Sequence, residues 1–188
     1  LHGKACGKVA ELRIHCRDEG ERIVSYKKIV VPLSVSGIQK IQDELKEYQR
    51  WQKGKAKELA ERLAMLGASV ASIRFSRAVY TGMRDATVSV VAIPNGYAVK
   101  ADGESVLFIE FGAGITYGTG HPEASEFGMG PGTYPDGKGH WNDPNGWYLP
   151  KSAGGGHTYG NPPAMPMYEA RKQIEQELPR IVKEVFTK

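Results

Sequence analysis

The stretch from Ala86 to Phe111 reads ATVSVVAIPNGYAVKADGESVLFIEF, and it decides the fold class. Three apolar runs, Ala86 to Ile93, Tyr97 to Ala101 and Ser105 to Phe111, are separated by Asn95-Gly96 and by Asp102-Gly103. Both dipeptides supply the positive φ values that a tight hairpin requires, and β-branched residues fill the runs between them. The pattern predicts an antiparallel meander of three strands.

Upstream, Ile23 to Leu33 is rich in β-branched residues and reads as extended chain, with Pro32 marking an edge or an end. A helical period follows. Ser36-Gly37-Ile38-Gln39 has the Ser-x-x-Gln form of a capping box, and Ile38, Ile41, Leu45 and Tyr48 recur at steps of three and four. Leu59, Leu63, Leu66 and Val70 resume the stripe, predicting an amphipathic helix of about 35 residues and roughly 50 Å. Gly54 is a candidate kink, and Gly67 a place where a strand can approach closely. Near the C-terminus, Met167, Ala170, Ile174, Leu178, Ile181 and Val185 restore the helical spacing, with Pro179 expected to kink that helix or to open a second one. The fold class is therefore α+β: a long helix and a C-terminal helix packed on a meander.

Between the meander and the last helix, residues 112–162 hold 14 glycines, six prolines and seven aromatics with no period of either kind. A loop of that length in a compact domain has a task of its own or lacks order. Tyr117, Phe127, Tyr134 and Trp141 offer rigid contact area of the kind found in interface cores, and so are the candidate interface residues. Trp147 and Tyr148 are candidates either for an interface or for packing back on the sheet.

Chemistry finds little purchase. Gly112-Ala113-Gly114 has neither the spacing nor the following helix of a dinucleotide turn, and Gly128, Gly130 and Gly132 lead to no phosphate-binding Lys-Ser or Lys-Thr. His121, His140 and His157, with Glu123, Asp136 and Asp143 nearby, could assemble a metal site from loops, but their spacings of 19 and 17 match no standard ligand set. Glu110 is a lone carboxylate, more in keeping with an ion pair or a turn than with acid catalysis. There is no nucleophile elbow, and Cys6 and Cys16 are too far apart for a C-x-x-C site. No cofactor is implied, and no enzymatic activity is expected.

The 188 residues suit one domain, residues 23–188, while 1–22 read as a poorly ordered leader outside it. The two cysteines read as reduced and cytosolic, and no apolar run approaches the ~20 residues of a membrane span. Net charge is +4, with 25 basic and 21 acidic residues interleaved along the same helices. A mixed solvated surface accounts for the charge better than a basic stripe does.

Two strings, Phe108-Ile109-Glu110-Phe111-Gly112-Ala113-Gly114 and Pro163-Ala164-Met165-Pro166-Met167-Tyr168-Glu169-Ala170, together with Gly146-Trp147-Tyr148 between them, carry a family likeness. In their order and spacing, over roughly Val31 to Phe186, they resemble the phage tail-component family named after gene product ten of a lambdoid coliphage. Its members include neck and tail-completion proteins of long-tailed phages. Met167 stands where that family usually has phenylalanine, and the loop from Ile115 to Asn145 is longer than in many members.

The resemblance implies a virion subunit, made in the host bacterial cytoplasm, that forms a cyclic, sixfold ring with itself and meets head-completion and tail-tube proteins. DNA would be near it only by proximity. Glu110, Phe111, Gly112 and Gly114 would then set the turn that launches the loop, Trp147 and Tyr148 its return, and Pro166 with Met167 the start of the last helix. The competing classes are a metal-dependent hydrolase built on the loop histidines and a nucleic-acid binding module.

Overall fold

A computed structural model describes residues 9–13, 28–114, 120–129 and 143–187. The class is α+β. In chain order the elements are β1 (Val9–Arg13), β2 (Lys28–Pro32), α1 (Val35–Arg77), β3 (Thr87–Ile93), β4 (Gly96–Asp102), α2 (Val106–Phe111), β5 (Ala113–Gly114), β6 (Trp147–Tyr148), β7 (His157–Thr158), β8 (Gly160–Asn161) and α3 (Pro166–Phe186). Among the described residues every sheet has two strands, and every pairing is antiparallel. No described helix is long and apolar enough to cross a membrane.

The chain divides into two compact units: residues 1–58 with 183–188, and Leu59–Val182. In the first, β1 pairs with β2, Val9 lying opposite Pro32 and Arg13 opposite Lys28. Five residues expected to belong to a leader thus form a strand, and the extended run expected over 23–33 is described only from Lys28. Chain reversal from β2 into α1 brings the Pro32 carbonyl against the Gly37 Cα, where any side chain would overlap it.

The cap of α1 is Ser34, one turn-residue pair earlier than the Ser36 box predicts. Its Oγ accepts the Gly37 N–H at 3.1 Å, and its carbonyl accepts the Ile38 N–H at 2.9 Å. Gln39 turns instead to Asp43, at 3.3 Å. An Oγ satisfies an orphan donor only from the residue where the backbone enters the helix, and with α1 beginning at Val35 that residue is Ser34. Helix α1 then runs 43 residues without a break at Gly54. In this same unit Trp51 stacks on Tyr48 at 5.6 Å, and Phe186 meets the Trp51 ring edge-on at 6.0 Å.

The second unit carries the larger core. Along α1 the buried line is Ala64, Gly67, Ala71 and Phe75, continued by Ala78 just past its end, and is displaced by one position from the leucine stripe seen in the sequence. Small residues allow neighbours to come close. A methyl group on Gly67 would lie 2.7 Å from Ile174 Cδ1 of α3 and 3.3 Å from Val99 Cγ2 of β4. Ala71, Phe75, Ala78, Ile109 and Ala170 form the centre, with Val88, Ala101 and Met167 packed around it.

Strands β3 and β4 pair as predicted, with Ile93 opposite Gly96 and Thr87 opposite Asp102. The third strand of the meander is not formed: Val106–Phe111 is helical. Asp85 is the reason. Its carboxylate accepts the Glu104 N–H at 2.7 Å, the Ser105 N–H at 2.9 Å and the Ser105 hydroxyl, holding free donors at the start of a helix. The Ser105 hydroxyl and these N–H groups keep the Asp85 carboxyl below the ordinary carboxylate range. Ile109, Glu110 and Phe111 are all buried in succession, which a half-exposed strand does not permit. Helix α3 continues through Pro179, an exposed position at which the lost backbone bond leaves the Glu175 carbonyl on an equally exposed turn.

Candidate functional site

Helix α3 starts without a capping side chain of its own. Met165 holds the N-cap position, its carbonyl accepting the Glu169 N–H at 3.0 Å, and its φ of +54° is one that non-glycine residues seldom adopt. The missing acceptor comes from Glu110, on the last turn of α2 and only 5% exposed. Its Oε2 accepts the Met167 N–H at 2.8 Å and its Oε1 the Tyr168 N–H at 2.9 Å, across 57 and 58 residues of sequence. A carboxylate at this end also complements the positive pole of α3.

The same Oε1 receives a third donor. His121 Nε2 lies 3.2 Å away, and the imidazole is buried, at 6% exposure. On its other side Nδ1 accepts the Glu123 N–H at 3.1 Å. Because Nδ1 accepts, the one proton of the neutral ring sits on Nε2 and points at Glu110. The Phe111 ring lies 4.6 Å from the imidazole and the Tyr168 ring 5.1 Å.

Arg171, one turn further along α3, binds both oxygens of Glu123, with Nη1 to Oε2 at 3.0 Å, and its guanidinium lies over the Tyr168 ring at 5.3 Å. This pairing lowers the Glu123 carboxyl and raises the Arg171 guanidinium from their ordinary values.

Around this clamp the backbone is interlocked. Ala164 N–H donates to the Ile109 carbonyl at 2.8 Å, and Asn161 Nδ2 to the Phe108 carbonyl at 2.8 Å. β5 pairs with β8, Ala113 facing Asn161 and Gly114 facing Gly160. Gly112, at φ +79°, has Pro163 where a side chain would go, and Gly114, at φ +70°, has the Trp147 ring there. Pro166 is fully buried.

Eight residues singled out in the sequence are thus placed. Glu110, Phe111, Gly112, Gly114, Trp147, Pro166 and Met167 belong to one interlocked region. Tyr148, by contrast, is 80% exposed and touches the His157 ring edge-on at 4.8 Å, which in turn meets Tyr159 at 4.9 Å. Phe127 is 61% exposed while lying 5.6 Å from the Phe111 ring. Tyr117, Tyr134, Trp141 and His140 fall outside the described residues.

Of the three histidines, His121 is buried against Glu110 and His157 stands exposed on β7. Among the described residues no three His, Cys, Asp or Glu side chains come together to hold a metal ion. In composition a buried Glu-His pair could serve acid-base chemistry. Here both carboxylate oxygens and both ring nitrogens are engaged within the protein, so the arrangement holds elements together. The cavity of about 410 Å³ between α1, β4 and α3 is lined by Leu63, Val99, Met167 and Ile174, with Arg171 as its one charged lining residue.

Sequence reasoning missed His121, Asp85 and Asn161 as organising residues, and treated Glu110 as solitary. No local pattern announces a cap supplied from another helix. Comparison of the chain with protein-family models, with curated proteins and with solved structures finds no match.

Proposed function

We propose that this chain is a non-enzymatic structural subunit of the head-tail junction of a tailed bacteriophage or prophage, assembling with copies of itself into a ring. One observation carries the reading: the two strings that resemble the phage tail-component family meet in space, Glu110 of the first capping the helix that the second begins. The resemblance rests on strings whose separation in sequence is large, and a shared structural task is a physical reason for them to occur together.

The surface supports the same reading. Strands β3 and β4 have no third partner among the described residues, and a sheet edge is a place where a neighbouring subunit can add a strand. Val79, Met83, Val91 and Ile93 are exposed apolar side chains in the same unit. Head-to-tail contact between different patches of identical subunits closes a ring when the rotation allows.

Deletion of the gene from the phage or prophage that encodes the chain tests the proposal, with electron microscopy of the lysate as the readout. Separate filled heads and free tails are expected, restored to joined particles by the gene in trans. Normal, infectious particles without the protein would overturn it.

A further inference from the structure

Residues 120–129 form a short strap of described chain that includes a single 3-10 turn, Ala124–Phe127, and lies against α2 and α3. Its two buried residues are His121 and Ala124, and the His121 ring is held by bonds that only the neutral imidazole can supply. Nδ1 must be a bare lone pair to accept the Glu123 N–H, while Nε2 carries the proton given to Glu110. An imidazolium has donors at both nitrogens and no acceptor.

We propose that His121 makes this strap a pH-sensitive latch, in which uptake of a proton at Nδ1 keeps the bond to Glu110 and releases the turn at Pro122 and Glu123. The two sides of the ring respond oppositely. On the Glu110 side the Nε2–H bond becomes an ion-paired one and strengthens. On the Glu123 side an N–H now faces an N–H 3.1 Å away, so a bond is lost and two like dipoles are pressed together.

Among the described residues, the charged and titratable groups around the ring are Glu110 from α2, Glu123 from its own turn, and Tyr168 and Arg171 from α3, with Lys172 Nζ over the Tyr168 ring at 5.5 Å. Among the charged groups just named, Glu123 carries the carboxylate that could answer the new Nδ1–H. Its carboxylate is already held by Arg171 from α3, so reaching the ring requires the turn to rotate and loosens that tie. Beyond the ring the strap is held by the buried Ala124, by Phe127, which is mostly exposed while lying 5.6 Å from the Phe111 ring, and by the Glu123–Arg171 pair, whose arginine is half exposed. Glu110 keeps its two α3 N–H groups throughout, so the body of the unit stays closed while the strap lifts.

Backbone amide protection of Glu123, measured by NMR on the full chain across pH 5 to 8 and corrected for the intrinsic pH dependence of exchange, reads the latch directly. A fall of tenfold or more toward pH 5 is expected at Glu123, with the Ile174 amide of α3 unchanged. His121→Gln keeps a donor for Glu110 and cannot titrate, so its Glu123 protection is expected to stay level.

Protection that stays constant in the native chain, or falls equally in the variant, would overturn the proposal. If the variant does not fold, the His121 ring signals of the native chain decide. They are expected to titrate together with the loss of Glu123 protection, and loss at a pH where the ring does not change refutes the latch.

Discussion

A single carboxylate does the work that a Ser or Asp cap does in most helices. Removing it by Glu110→Ala strands the Met167 and Tyr168 N–H groups and the His121 Nε2–H in a buried place. Orphaned buried donors cost about 1–3 kcal/mol each, less whatever water recovers, so a total loss of about 3–5 kcal/mol is expected by urea denaturation. Glu110→Gln keeps one acceptor oxygen and should lose less than half of that.

Asp85 makes a second test with a sign. Its carboxyl is depressed by the Ser105 hydroxyl and the two N–H groups it accepts. A depressed carboxyl contributes stability that is fully present above its unfolded value, about 3.9, and is lost as pH falls through the lower folded value. Thermal melting of the native chain should therefore drop more steeply below about pH 4 than that of Asp85→Asn, the two curves converging in acid.

Two glycines of one helix predict opposite outcomes at the scale of the element. Gly54 is exposed in the interior of α1 with nothing near its Cα, so Gly54→Ala should stabilise by about 1 kcal/mol through helix propensity alone. Gly67 faces Ile174 and Val99, and Gly67→Ala must push α3 or β4 away. A loss of about 1–2 kcal/mol is expected there, the overpacking cost exceeding the propensity gain. Chemical denaturation of both variants checks the pair.

The same elements show how far pattern reading reaches. The turn residues Asn95 and Gly96 encode the β3–β4 hairpin locally, and α3 is legible because its buried positions share one face. Ser105 to Phe111 misleads, because a short apolar run has no period that separates a buried helix from a strand. What selects the helix is Asp85, a residue about twenty positions upstream in sequence. The site was legible only as strings. Glu110, Gly112, Gly114 and Pro166 could be named, but the bonds that close the region, Asn161 to Phe108 and Met167 and Tyr168 to Glu110, span 53 to 58 residues, and no spacing rule encodes such contacts.

For the whole molecule, charge separates the proposed subunit from a nucleic-acid binder. The chain carries a net charge of +4, and among the described residues basic and acidic side chains lie side by side: Lys46 with Asp43, Lys55 with Glu58, Lys100 with Asp102, Arg171 with Glu123, Arg180 with Glu177. Phosphate affinity arises from releasing counterions, and each basic group already facing a carboxylate releases fewer. A protein making 6–10 phosphate contacts loses about 10³–10⁵ in affinity between 50 and 200 mM salt. Fluorescence anisotropy on labelled duplex DNA is expected to give weak binding, about 10 μM or worse at 150 mM salt, with a slope equivalent to no more than about three phosphates. Sub-micromolar binding with a steep slope would instead place DNA recognition among this chain's tasks, with the basic side chains abandoning their carboxylate neighbours to meet it.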